Sequence, residues 1–196
     1  MAKRSPRKAP LLGAHFSIAK GLHNALSEAI SYGCNTLQIF TKNASTWKER
    51  ILSETDVDRF HQMVEETGID KIASHTSYLI NLAANEKKKH AMSCRALKHE
   101  LIRSSQLSIP FVVLHPGAHM GKGERKGIHK IATSINQIFK DAPDAQTRLL
   151  LETTAGQGYI LTLQEQIGTM STTCPKCQHN NPPEMIFCGK CATPLP

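Results

Sequence analysis

Short apolar runs and longer amphipathic stretches alternate along the first three-quarters of the chain. The runs are Leu11–Ser17, Thr36–Phe40, Ile72–His75, Phe111–His115 and Leu149–Thr153. Each is of strand length and mostly apolar, the pattern of a strand covered on both faces. Between them the apolar positions recur at helical spacing. Leu22, Ala25, Leu26, Ala29 and Ile30 form one stripe, stopped by Gly33. Val57, Phe60 and Val64 form a second, stopped by Gly68, and Cys94, Leu97 and Leu101 a third. Ile128, Ile131, Ala132, Ile135, Ile138 and Phe139 form the fourth and clearest. Glycine just past the last helical turn is a common terminator, because it adopts the left-handed conformation without penalty.

Strand and helix thus alternate four times before a fifth strand, which predicts an α/β fold with a parallel sheet and covering helices. The alternation fits a (β/α) barrel and an open doubly wound sheet equally well. No GxGxxG follows the first strand, so a dinucleotide-binding fold loses support. The polar residues favour the barrel. His15, His75, His115 and Glu152 stand at or near the C-terminal ends of their strands, where a (β/α) barrel carries its chemistry. Imidazole and carboxylate are common zinc ligands, and His75, His115 and Glu152 from three successive strands could converge on one ion.

The 196 residues carry a formal charge of +8, with 40% hydrophobic and 20% charged residues, enough for one medium domain and a small one. Residues 1–10 are basic through Lys3, Arg4, Arg7 and Lys8 and read as a solvated disordered tail able to add weak phosphate contacts. No apolar run approaches the ~18 residues of a membrane helix, and no signal peptide is legible. The expectation is a cytoplasmic protein without a membrane partner.

The local sequences are more specific than the periodicity. GAHFS, IFTKN, ASHTSYLINLA, LHPGAH and LLLETTAGQG occur in that order. Over about residues 11–158 they resemble the endonuclease IV family of abasic-site endonucleases. The resemblance implies a TIM-type barrel and a trinuclear zinc centre. It also implies hydrolysis of the phosphodiester 5′ to an abasic site in double-stranded DNA, in base-excision repair. Carried over motif by motif, His75 and His115 would bind one zinc, and Glu152 would bridge it to a second as the catalytic carboxylate. Tyr78 would lie beside the flipped-out nucleotide, Lys42 and Asn43 along the DNA, and His15 would support the cleft. His119 has no assignment.

Two departures stand out. Where the family usually carries an arginine after TKN, this chain has Ala44, Ser45, Thr46 and Trp47, so damage recognition should be weaker. After Glu152 the only remaining Asp, Glu or His residues are Glu165, His179 and Glu184, none in a matching motif for the family's later ligands. The expectation is a partial barrel of about five strands over residues 11–158, truncated or frameshifted relative to the family. Its open edges would favour self-association or require a complementing chain. A catalytically inactive zinc protein that contacts DNA or protein partners is the alternative to an enzyme.

Residues 159–173 read as a linker. The remainder, 174–196, contains Cys174-x2-Cys177, ten residues, then Cys188-x2-Cys191. Paired thiolate knuckles at this spacing suit one tetrahedral structural Zn2+, held in a small four-cysteine zinc ribbon. Cys34 and Cys94 lie in helix-end and helix-face patterns and read as small buried apolar residues.

Overall fold

The computed structural model describes residues 10–153, 172–173, 175–178 and 180–181. The chain divides into two compact units, Met1–Thr153 and Thr154–Pro196. In the first, strands β1 (Gly13–Phe16), β2 (Thr36–Phe40), β3 (Ile72–His75), β4 (Phe111–Leu114) and β5 (Arg148–Leu151) alternate with helices α1 (Leu22–Ser31), α2 (Glu54–Thr67), α3 (Lys87–Gln106) and α4 (Glu124–Asp141). The strands are all parallel and lie in sequence order, β1-β2-β3-β4-β5. Sequential order with a helix in every crossover is the topology of part of a (β/α) barrel.

Register sorts the side chains into two faces. Phe16, Leu37, Ile39, Ile72, Val112 and Leu114 point one way and join the helices in the hydrophobic core. One core cluster unites β1–β3 with α1 and α2 through Leu22, Leu26 and Phe60. A second unites β4 with α3 and α4 through Leu97, Leu101 and Ile138. The partner set on the opposite face contains His15, Gln38, Phe40, His75 and Val113. A period of two therefore separates packing positions from chemical positions along the same strand.

Burial on both faces holds only in the centre of the sheet. In β1, Gly13, Ala14 and His15 are exposed, and in β5 Leu150 and Leu151 are 43% and 44% exposed. Among the described residues these two strands are the sheet edges, and an edge strand has a neighbour on one side only. The fourth helical stripe is also shallower than its periodicity suggests. Ile138 is buried, Ile131 and Ile135 are half-buried, and Ala132 is exposed. Cys34 is buried as expected; Cys94 is half-buried, and burial pushes its thiol pKa up.

Local chemistry explains the helix limits. Ser53 caps α2 by accepting from the Asp56 N–H at 3.1 Å, while the Asp56 carboxylate accepts from the Ser53 N–H. Gly68 ends the helix at φ 68°. Burial opposes the Asp56 charge, but the Ser53 N–H and Arg50 outweigh it and hold the carboxyl below its ordinary pKa. A lowered carboxylate pKa contributes stability above the unfolded-state value and loses it as pH falls through the folded value. Asp56→Asn should therefore cost about 0.5–1 kcal/mol at pH 7, and less at pH 3, in urea titrations at the two pH values.

In the second unit, β6 (Thr172–Thr173) pairs antiparallel with β7 (Asn180–Asn181) around a turn at 175–177. Cys177 lies in that turn, and Gln178 follows at φ 57°. Thr172 and Thr173, expected in the linker, are the first strand of this hairpin. Cys174, Cys188 and Cys191 lie outside the described residues, as do the expected boundary near 158 and the basic tail 1–9.

Candidate metal centre

His75 ends β3, His115 follows β4 directly, and Glu152 follows β5 directly. Parallel pairing brings these three ends together, and the Glu152 N–H donates to the Leu114 carbonyl at 2.9 Å. His75 Nε2 lies 3.0 Å and His115 Nε2 3.5 Å from the same oxygen, Glu152 Oε2. One ligand atom from each residue falls within a 4.8 Å cluster. His75 is buried, His115 half-buried and the Glu152 side chain 49% exposed, so the group opens on one side.

The hydrogen bonds behind the rings decide what the cluster can hold. His75 Nδ1 lies 2.8 Å from the Thr76 carbonyl, and His115 Nδ1 lies 3.2 Å from the Glu152 carbonyl. A carbonyl only accepts, so each Nδ1 carries the proton. In the neutral rings both Nε2 atoms then present bare lone pairs to a carboxylate. A lone pair facing a carboxylate is repulsive unless a ring proton or a metal cation lies between them, and the two imidazoles with the carboxylate can take either. Imidazoles oriented through Nδ1–H to backbone carbonyls are the usual support of metal-bound histidine. The residues fit a zinc ion on chemical grounds.

Around this group lies an aromatic rim. The Phe40 ring is 4.5 Å from His15, 5.6 Å from His75 and 5.4 Å from Tyr78. Tyr78 is 65% exposed and lies 5.7 Å from His75, with its ring available beside the cluster. His15 Nδ1 contacts Gln38 Oε1 at 3.0 Å across the β1–β2 register pair. Beside it opens a cavity of about 590 Å³ lined by residues including His15, Phe40, Lys42 and Asn43. The structure thus gathers His15, His75, Tyr78, His115 and Glu152 on one end of the sheet.

Lys42 and Asn43 diverge. Asn43 is exposed, and its Oδ1 accepts from the Ser45 N–H at 2.8 Å. Lys42 is 4% exposed, and its ammonium donates to the carbonyls of Asn43 and Thr46 inside its own loop. Burial lowers the Lys42 pKa, opposed by Glu49 and Glu100 and reinforced by Arg103.

Two groups of supporting residues carry no periodicity signal. Asn81 fastens the loop that carries His115. Its Nδ2 donates to the Ala118 carbonyl at 3.0 Å, while the Leu82 N–H donates to the Pro116 carbonyl. Gly117 sits against it at φ 103°, where a Cβ would lie 2.1 Å from Asn81 Oδ1. Gly117→Ala should destabilise the chain by about 2–3 kcal/mol and weaken zinc binding together, since strain and clash fall on the ligand loop. Urea midpoints with and without zinc would test this; an unchanged apo midpoint would refute it. The second group is an ion network that ties Thr41 and half-buried Glu49 of the β2–α2 loop to buried Glu100 and Arg103 of α3. Asn81 could have been found from its place inside the SYLINLA motif; the ion network required the fold.

Similarity to known proteins agrees with this geometry. Residues 26–173 match the xylose isomerase-like TIM barrel family. The probable endonuclease 4 of Citrifermentans bemidjiense is 43% identical over 148 residues, covering 76% of this chain and 52% of that protein. The probable endonuclease 4 of Chloroflexus aurantiacus is 40% identical over 152 residues, covering 78% and 53%. Among solved structures, endonuclease IV from Thermus thermophilus superposes with a TM-score of 0.67 at 31% identity, over 78% of this chain and 55% of that one. The chain spans about half the length of these relatives.

Proposed function

The chain belongs to the xylose isomerase-like TIM barrel family and matches the N-terminal part of endonuclease IV within it. From that premise we propose that it is a zinc-dependent, endonuclease IV-like protein of base-excision repair, acting on double-stranded DNA at abasic sites. The observation that carries this reading is the cluster of His75, His115 and Glu152 around one oxygen, on the same strand ends as the matched motifs.

In this reading His75 and His115 hold a zinc ion through Nε2. Glu152 would be the third ligand of that ion. A zinc ion bound there would supply Lewis-acid polarisation of a phosphoryl oxygen and a water of lowered pKa. The backbone carbonyls of Thr76 and Glu152 keep the imidazoles in the metal-binding tautomer. Tyr78 and Phe40 offer an aromatic surface for an unstacked nucleotide, and Asn43 and His15 border the adjacent cavity. Lys42 contributes by shaping the TKN loop from inside. Cys174, Cys177, Cys188 and Cys191 are proposed to bind a second, structural zinc; the hairpin around Cys177 suits such a knuckle. No helix among the described residues is long and apolar enough to cross a membrane, in keeping with a proposed cytoplasmic site of action.

A second reading follows from the ligand count. Among the described residues one three-ligand cluster is present, and a single-metal protein could bind zinc and DNA without cutting. Edge strands β1 and β5 would then serve self-association or pairing with a complementing chain. An incision assay separates the readings. Cleavage 5′ to an abasic-site analogue, abolished by Glu152→Gln and by chelation, supports the enzyme. Zinc and DNA binding without cleavage supports the second reading. Cleavage unaffected by Glu152→Gln would refute the assigned site.

A further inference from the structure

We infer that the N-terminal ends of α3 and α4 form a phosphate-binding footing that holds the DNA duplex beside the metal centre. This rests on the proposed DNA-binding role and adds a surface to it that the matched motifs do not contain. Lys87, Lys88 and Lys89 occupy the first turn of α3, and Lys122, Arg125 and Lys126 flank the start of α4; all six are exposed. Two acidic residues lie among them. Glu86 pairs with Lys89 at 3.0 Å, and Glu124 stands in the first turn of α4. Among the described residues the other five cations enter no ion pair. Cations at a helix N-terminus oppose the macrodipole, so six of them gathered there lower helix stability. An anionic partner offsets that cost.

The two clusters are held side by side by bonds between their loops. Asn85 Nδ2 donates to the Met120 carbonyl at 3.0 Å, and Asn81 Nδ2 to the Ala118 carbonyl at 3.0 Å. Lys130 Nζ reaches from α4 to the Ala84 carbonyl, so this seventh cation is structural. Neither helix start has a side-chain cap, which is true of α1 as well, and the Gly123 N–H before α4 donates to His119 Nδ1; the N–H groups of the two first turns remain available to phosphate oxygens. Each loop begins at a proposed zinc ligand, His75 or His115, and ends at a cation cluster. A parallel sheet with helical crossovers places both clusters on the ligand-bearing side. A backbone bound across them is continuous with a phosphodiester at the metal.

Phosphate contacts release counterions, so each one steepens the salt dependence of binding by about 0.9 in log–log slope. The test measures fluorescence anisotropy of the full chain on intact and abasic-analogue duplexes across a potassium chloride series. The triple variant Lys88→Gln, Lys122→Gln, Lys126→Gln is compared with a control triple, Lys71→Gln, Lys140→Gln, Arg148→Gln. The control removes three exposed cations at the opposite end of the strands and helices. The first triple should weaken binding at least tenfold to both duplexes, flatten the slope by about 2–3, and leave the abasic-to-intact ratio unchanged. The control should change the slope by less than half as much. Equal effects of the two triples, or none from the first, would overturn the footing while leaving the metal-site reading intact. A footing effect without incision would fail the enzyme reading alone. No duplex binding by the unaltered chain would overturn both.

Discussion

Arg103→Met is expected to destabilise the chain by about 3–5 kcal/mol, the cost of leaving buried carboxylates without their cation. Arg103 is 3% exposed on α3 and makes three charge-assisted contacts. Nε donates to Thr41 Oγ1 at 2.9 Å, Nη1 to Glu49 Oε2 at 2.6 Å and Nη2 to Glu100 Oε2 at 2.7 Å. Glu100 is 2% exposed, and Thr41, fully buried, lies 2.9 Å from both of its carboxylate oxygens. Methionine keeps most of the apolar stem and removes every donor. Glu100 and Glu49 would then face each other with only Lys42 as counter-charge.

A whole domain is stable by only about 5–15 kcal/mol, so this loss approaches unfolding at physiological temperature. The damage should also reach the β2–α2 loop. Trp47, the single tryptophan, lies on that loop and packs partly buried against the second core cluster. Its emission should shift to the red in the variant before global unfolding begins. Arg103→Met with Glu100→Gln should recover part of the loss, because one stranded charge is gone. A urea midpoint within about 1 kcal/mol of the unaltered chain, with unchanged Trp47 emission, would show that the network does not carry the loop.

This network marks where sequence reading stops. The strands were legible because apolar runs bounded by polar residues leave little choice; Thr36–Phe40 and Ile72–His75 are the observed limits of β2 and β3. The candidate ligands were legible for the same reason, since a parallel sheet brings strand ends together whatever the intervening helices contain. Glu100 and Arg103 gave no such signal. On a helix, charges three apart read as a solvated surface pair, and only the packing of α3 against the β2–α2 loop reveals that they are buried. Lys42 shows the converse. The resemblance of its TKN motif implied contact with DNA, yet the Asn43 and Thr46 carbonyls accept from its ammonium and turn it inward. The edge strands were legible by a different route. An apolar run carries no mark of how many neighbours its strand will have; the open edges at β1 and β5 followed from the count of five strands, not from their composition.

The second large effect concerns the metal. In a Cys174→Ser, Cys177→Ser background, which removes the proposed ribbon zinc, the chain should still bind one zinc, and His75→Ala should abolish it. The argument is local. His75 is the most buried ligand, and its Nε2 is aimed at Glu152 Oε2 by the Nδ1–H bond to the Thr76 carbonyl. Loss of a supporting hydrogen bond alone typically costs 10–100-fold in metal affinity, and loss of a ligand should cost more than about a hundredfold. Because zinc binds the folded cluster, saturating it at about 100 times Kd should stabilise the background protein by about 2.7 kcal/mol. That increment should vanish in His75→Ala, while the apo stability falls by a smaller amount, and His115→Ala should behave alike. Removing the charge of Glu152 by Glu152→Gln should retain weak zinc binding through the two imidazoles. If instead zinc stabilises His75→Ala as fully as the background, the ion sits elsewhere, and the three strand ends are a hydrogen-bonded cluster without a metal.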